Sequence, residues 1–248
     1  MNSPLLISGN KNYSSWSLRA WLLLKAFDIE FDEQSIELFD PSATSILAEH
    51  APTGKVPVLV YYHGGNKVTV WDTLSIAIHI NDYLTDVDIW TGLCTSDIKR
   101  HADSHTRTNS AYCQSIVAEM HSGLTGIRNE MPMNIRATAH ITPSAACLAD
   151  IDRIETIITE CLTNRSADSY LFGNFTVADA FYAPVVLRLQ TYATASGIEL
   201  KPTTLQYCKT MLANPHLQIW RAEALKETRI IKEDEAGKTL SLDGVLAG

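Results

Sequence analysis

Val58-Leu59-Val60-Tyr61-Tyr62-His63-Gly64-Gly65-Asn66-Lys67-Val68-Thr69-Val70-Trp71 is the stretch that decides the fold of the first part of this 248-residue chain. Two runs rich in β-branched and aromatic residues flank a polar turn carrying two glycines, the pattern of a β-hairpin. Beyond it, over residues 73–84, Ala77, Ile80 and Leu84 recur on one face with Ile76 and Tyr83 beside them, so a helix should close onto the hairpin. Upstream, residues 33–38 alternate like a strand, stop at Asp40-Pro41 and precede a short polar helix over 42–50. Further back, Leu5-Leu6-Ile7 reads as a short buried strand closed by Ser8-Gly9-Asn10, and an apolar run over 16–27 reads as a buried helix.

The order βαβ, a helical connection, then ββα describes a small mixed sheet covered by helices, an α/β thioredoxin-like layout, over residues 1–85. After a linker the strand signals fade. Residues 97–126 can form one long helix, Thr142-Pro143 reads as a cap with a first-turn proline, and Cys147, Leu148, Ile151, Ile154, Ile158 and Cys161 recur at helical spacing. Thr176-Val177-Ala178-Asp179 opens another helix with Pro184 inside it, where a bend is expected; Pro202 and Asn214-Pro215 open two more. The reading is an all-α helical bundle over 96–226, followed by a polar tail, 227–248, of doubtful order.

Composition narrows the function. A formal charge of −8 without a lysine or arginine cluster argues against nucleic acid as a partner. No basic segment precedes an apolar signal core and no run approaches the roughly 20 apolar residues that cross a bilayer, so a cytoplasmic protein without membrane attachment is expected. Five widely spaced cysteines suggest buried reduced thiols rather than a disulfide framework or zinc ribbon, and none lies in the first 93 residues.

Three short stretches can carry chemistry. In Asn12-Tyr13-Ser14-Ser15-Trp16-Ser17-Leu18-Arg19, the serines sit at a helix start, where hydroxyls satisfy free N–H groups and the helix dipole favours an anion. That anion can be a bound thiolate. Gly54-Lys55-Val56-Pro57 precedes the first hairpin strand; a cis bond at Val56–Pro57 would expose the Val56 backbone to an extended peptide, although trans is the commoner state of such bonds. Asp72-Thr73 starts the next helix, where the helix end can hold a carboxylate while Asp72 holds the neighbouring ammonium.

Tyr13-Ser14-Ser15-Trp16-Ser17-Leu18-Arg19, Gly54-Lys55-Val56-Pro57-Val58-Leu59, Trp71-Asp72-Thr73 and Phe175-Thr176-Val177-Ala178-Asp179-Ala180, in this order and at these separations, resemble the cytosolic glutathione transferase superfamily. The serine turn is similar to the zeta class and related bacterial branches, as are Ala118-Glu119-Met120-His121-Ser122-Gly123 and Pro132-Met133-Asn134-Ile135-Arg136. The resemblance implies a thioredoxin-like glutathione-binding domain, a helical domain supplying an electrophile site, and a homodimer. It implies that Val56, ahead of a cis Pro57, pairs with the cysteinyl part of glutathione, with Trp16 nearby, Lys55 meeting a carboxylate, and Asp72 and Thr73 holding the γ-glutamyl end. Ser14, with Ser15 close behind, is the expected donor to the sulfur, and Met120, His121 and Arg128, with Arg136, would line or rim the electrophile pocket. Two departures stand out: Asp72-Thr73 replaces the family's commoner Glu-Ser, and Trp16 replaces the zeta-class cysteine.

The function expected is glutathione transferase activity of a detoxifying type, with glutathione as co-substrate, a small hydrophobic electrophile as partner and no metal. The alternatives are a zeta-like glutathione-dependent cis–trans isomerase of the maleylacetoacetate isomerase type and a non-catalytic interaction protein of the same fold. His101 and His105 share a helix face without a third ligand at suitable spacing, so they are not read as a metal site. Arg19, inside an apolar helix, is expected to be buried and paired with an acid.

Overall fold

The computed structural model describes residues 3–96 and 103–241. Four strands, β1 (Leu5–Ser8), β2 (Asp32–Ser35), β3 (Val58–His63) and β4 (Asn66–Trp71), lie in the order β2-β1-β3-β4. The β1–β2 pair is parallel and the other two are antiparallel. A parallel pair needs a crossover, and α1 (Ser15–Ala26) supplies it. The hairpin turn has positive φ at Gly64 and Gly65, 57° and 81°, which lets His63 pair directly with Asn66. Strand β2 is shorter than the alternation predicts, because past Ser35 the chain turns away and Leu38 N–H donates to Asn10 Oδ1 at 2.8 Å.

Alternation within the strands divides the apolar side chains between two faces. Leu6 and Leu59 join the main core with α1 and α3 (Thr73–His79), whereas Ile7, Val58 and Val60 form a smaller cluster with Ala43 of α2 (Pro41–His50). The helix expected over 73–84 widens at its end into a π-helical turn, Ile80–Leu84.

Further α-helices among the described residues are α4 (Ser104–Ser122), α5 (Thr125–Glu130), α6 (Ala145–Leu162), α7 (Val177–Tyr192), α8 (Pro202–Leu212) and α9 (Pro215–Ala224). The single helix expected over 97–126 lies outside the described residues at 97–102 and breaks at Gly123 and Leu124, the latter at φ 55°. Helix α6 starts later than Thr142-Pro143 suggested. Ser144 is its cap, accepting from Cys147 N–H at 3.2 Å, while Glu130 accepts the Ser144 N–H and hydroxyl at 2.8 and 2.5 Å. Helix α7 is buried along nearly its whole length, apolar on all sides, and continues through Pro184. Its capping box is as expected: Asp179 accepts from Thr176 N–H and Oγ1.

The C-terminal region is mostly helical, as expected, with one small addition: β7 (Thr138–His140) pairs with β8 (Lys238–Ser241). A two-residue pair, β5 (Val87–Asp88) with β6 (Leu93–Cys94), lies in the linker. The segment from 227, read from sequence as of doubtful order, is described through 241. Its apolar content is sparse, but Ile231 is buried and Gly237, at φ 69°, sits so close that a Cβ would meet His140 O at 2.1 Å. Cys113, Cys147 and Cys161 are buried free thiols, but Cys94 is exposed. No described helix is long and apolar enough to cross a membrane.

Candidate functional site

A cavity of about 430 Å³ lies where the end of the α2–β3 loop, the β4–α3 junction and the start of α1 converge. Trp16, Thr53, Lys55, Val56, Pro57, Trp71, Asp72 and Thr73 line it. The structure thus brings together all six residues that the sequence assigned to glutathione binding. The Val56–Pro57 peptide is cis, as the resemblance implies and against the commoner state of such bonds.

Asp72 is the strained member. It caps α3 by accepting from Leu74 and Ser75 N–H, at 2.9 and 3.4 Å, yet its φ is 71° and its ψ 134°, a conformation costly for a residue with a Cβ. Its free oxygen, Oδ2, lies 3.4 Å from His121 Nε2 of α4, so the cleft is bridged from the sheet domain to the helical one. Thr73 is buried and its hydroxyl donates to Trp16 O at 3.3 Å, tying the two helix starts together.

The serine pair is buried just behind this wall, and neither serine is among the cavity-lining residues. Ser14 caps α1 by accepting from Ser17 N–H at 3.3 Å. Its hydroxyl donates to Ser17 Oγ at 2.8 Å, which also accepts from Gly9 N–H at 3.0 Å. Ser17, unremarked in the sequence reading, is therefore the support of Ser14; its spacing of three from a helix cap was the available signal. Ser15 takes a different partner, accepting from Arg188 Nη2 of α7 at 3.2 Å.

Of the residues expected at the electrophile pocket, Met120 is buried core. His121 and Arg128 do not line the cavity but pack against Trp16, which does: the His121 ring stands edge-on to it at 5.3 Å, and the Arg128 guanidinium lies 4.9 Å from it. Arg136 is elsewhere, binding Glu227 O, Arg229 O and Tyr13 Oη and so fastening the tail to the loop before α1. Arg19 contradicts expectation, since no acid pairs with it among the described residues. Its side chain is 1% exposed, between contacts with the rings of Trp16 at 4.6 Å and Phe181 at 5.1 Å. Burial, then repulsion from Arg128 and Arg188, pushes its pKa well down. The His101–His105 pair cannot be placed, because His101 lies outside the described residues; among those described no group of His, Cys, Asp and Glu could hold a metal.

A thioredoxin-like sheet with a cis-proline cleft, joined to a helical bundle through α1 and α7, defines the class of fold. The comparisons with known proteins agree with it. A family model described as glutathione S-transferase, N-terminal domain, matches residues 13–82. Similar solved structures include a glutathione transferase homolog from Burkholderia with bound glutathione, at 18% identity over 90% of this chain and 98% of that one, TM-score 0.60. A glutathione S-transferase from Rhodospirillum rubrum is 18% identical over 94% and 96%, TM-score 0.62. A maleylacetoacetate isomerase from Anaeromyxobacter dehalogenans, solved with dicarboxyethyl glutathione and citrate in its active site, is 16% identical over 92% and 94%, TM-score 0.57. No curated protein matches by sequence. Residues 13–82 thus match the glutathione S-transferase N-terminal domain, and the chain as a whole has the glutathione transferase fold.

Proposed function

We propose that this protein is a glutathione transferase that holds glutathione as thiolate and delivers its sulfur to a small electrophile. The observation that carries the reading is the cavity in which Trp16, Val56, Pro57, Asp72 and Thr73 converge at the N-terminal starts of α1 and α3. In this reading the Val56 backbone pairs with the cysteinyl residue of glutathione, Asp72 takes the α-ammonium, and the start of α3 takes the α-carboxylate. Lys55, exposed at the rim, meets a carboxylate of the tripeptide.

The sulfur is assigned to Ser14. A hydroxyl turns about its C–O bond, so the proton that Ser14 gives to Ser17 Oγ can swing to the sulfur when glutathione arrives, while Gly9 N–H still satisfies Ser17. Ser15 is the second candidate, because the Arg188 contact leaves its own proton uncommitted. A free thiol of pKa about 8.5 is only slightly ionised at neutral pH, and each unit of depression corresponds to about 1.4 kcal/mol. A hydroxyl donor at a helix start can supply one to two such units, roughly 1.4–2.8 kcal/mol. The thiolate then forms a C–S bond, and the displaced electron pair departs with the leaving group or is protonated.

In this reading glutathione is a co-substrate, the chain acts as a homodimer in the cytoplasm, and no metal enters the reaction. Calorimetric titration of glutathione tests it. Wild type should bind, and Asp72→Asn should weaken binding by about tenfold through loss of a charged contact to the ammonium. Absence of heat with wild type, in a folded sample, would refute the reading.

A further inference from the structure

Arg19 lies buried behind Trp16, one of the residues that line the cavity. Its Nε and Nη1 are sealed from solvent and make no hydrogen bond, and no ion pair reaches the guanidinium among the described residues. The faces of Trp16 and Phe181 offset only part of the desolvation of this buried cation, and no acid among the described residues pairs with it to offset the rest. Its surroundings deepen the excess of positive charge. Arg128 lies over the same Trp16 ring, and its donors reach neutral acceptors, the carbonyls of Gly123 and His121 and the sulfur of Met120. His121 Nδ1 is likewise buried without a partner, its ring edge-on to Trp16. Two acids act on the group from its edges: Asp72 Oδ2 lies 3.4 Å from His121 Nε2, and Asp150 acts on Arg128. Donors from α1, α4 and α5 thus meet around one tryptophan that lines the cavity.

We propose that Arg19, with Arg128 and His121, receives a carboxylate of the electrophile, so that the acceptor class is a compact molecule with an apolar body against Trp16 and a carboxylate beside these donors. The inference rests on the reading of the adjoining cavity as the glutathione site. A carboxylate can take two donors from a guanidinium in one plane, a geometry that an uncharged electrophile cannot reward. The lowered pKa of Arg19, caused first by burial and then by Arg128 and Arg188, is the expected state of such a group before its anion arrives.

The test is calorimetric titration of benzoate and of benzamide into the protein saturated with S-methylglutathione and into the free protein. The expected result is that benzoate binds at least about tenfold more tightly than benzamide, the scale of a charge-assisted pair. Arg128→Gln and Arg19→Met should each remove that preference, and Arg19→Lys should keep part of it. Arg128 is only partly buried, so Arg128→Gln carries the test if Arg19→Met does not fold. Equal affinity for the two probes, binding of neither, or a preference that survives Arg128→Gln and any folded Arg19→Met overturns the proposal. So does an effect of the variants confined to the thiol pKa of bound glutathione, which would make Arg19 a thiolate-stabilising group instead. If S-methylglutathione fails to bind while the free protein still prefers benzoate through Arg19, the glutathione reading fails and the anion site stands.

Discussion

Asp72 shows how single residues in the cleft combine strain with purpose. A non-glycine at φ 71° carries a cost of about 1–3 kcal/mol, whereas the cap it provides is worth only a few tenths over glycine at the same position. Asp72→Gly should therefore raise stability by about 1 kcal/mol in denaturant unfolding while weakening glutathione binding. Lower stability together with undiminished binding would show that the strain serves no site. The identity of Asp72 as a site residue was legible from its place at a helix start after a strand; its backbone strain was not, since nothing in Trp71-Asp72-Thr73 marks a positive φ. The same limit applied to Arg19. Its burial could be read from Leu18, Leu22 and Leu23 around it, but whether an acid or an aromatic ring would meet it depends on Phe181 of a distant helix.

At the scale of elements, the clearest agreement between sequence and structure lies in signals confined to a few neighbouring residues. The hairpin turn, the starts of α8 and α9 at proline, and the Thr176–Asp179 box all use such local chemistry. Where an end is fixed by a distant partner, the local signal misleads: α6 starts beyond Ser144 because Glu130 of α5 holds that serine. Asp179 also carries an effect that its motif does not announce. It accepts from Leu171 N–H and Tyr207 Oη besides Thr176, at 3.0 and 3.1 Å, and is wholly buried. Asp179→Ala, leaving those donors unpaired, should cost about 3 kcal/mol or more in unfolding free energy. Burial raises the Asp179 pKa from 3.8 to about 6. The folded state thus binds the proton more tightly than the unfolded state. Its contribution to stability is full below 3.8 and is lost as pH rises to about 6, so the stability of wild type relative to Asp179→Asn should fall across that window. A difference that rises across it would show the carboxylate to be favoured by its donors instead.

Across the whole molecule, the last described residues reach back to hold the loop on which the proposed chemistry depends. Glu227 accepts the N–H groups of Lys11 and Asn12 at 2.6 and 3.0 Å, just ahead of the serine turn. Trp220 donates to Lys11 O at 2.9 Å, and Tyr13 donates to Glu235 at 2.6 Å. Glu227→Ala should therefore lower stability by about 1–3 kcal/mol, the cost of unpaired backbone donors, and should loosen the loop. Hydrogen exchange at Lys11 and Asn12 checks this, and unchanged protection there would contradict it. Such contacts span most of the chain, so the tail reads in sequence as a polar end of doubtful order while its partners, two backbone N–H groups, carry no sequence signature at all. The sheet domain was legible because its partners are close in the chain; the cleft between the domains was legible only through short motifs at each helix start.

The most direct measurement is the thiol pKa of bound glutathione, followed by thiolate ultraviolet absorbance in wild type, Ser14→Ala, Ser15→Ala and Ser17→Ala. The expected result is a depressed pKa in wild type, a return toward about 8.5 in Ser14→Ala, and a partial return in Ser17→Ala, whose hydroxyl only positions that of Ser14. A full return in Ser15→Ala alone would move the donor role to Ser15. A bound thiol with an unshifted pKa in wild type would contradict the central claim that this helix start holds glutathione as thiolate.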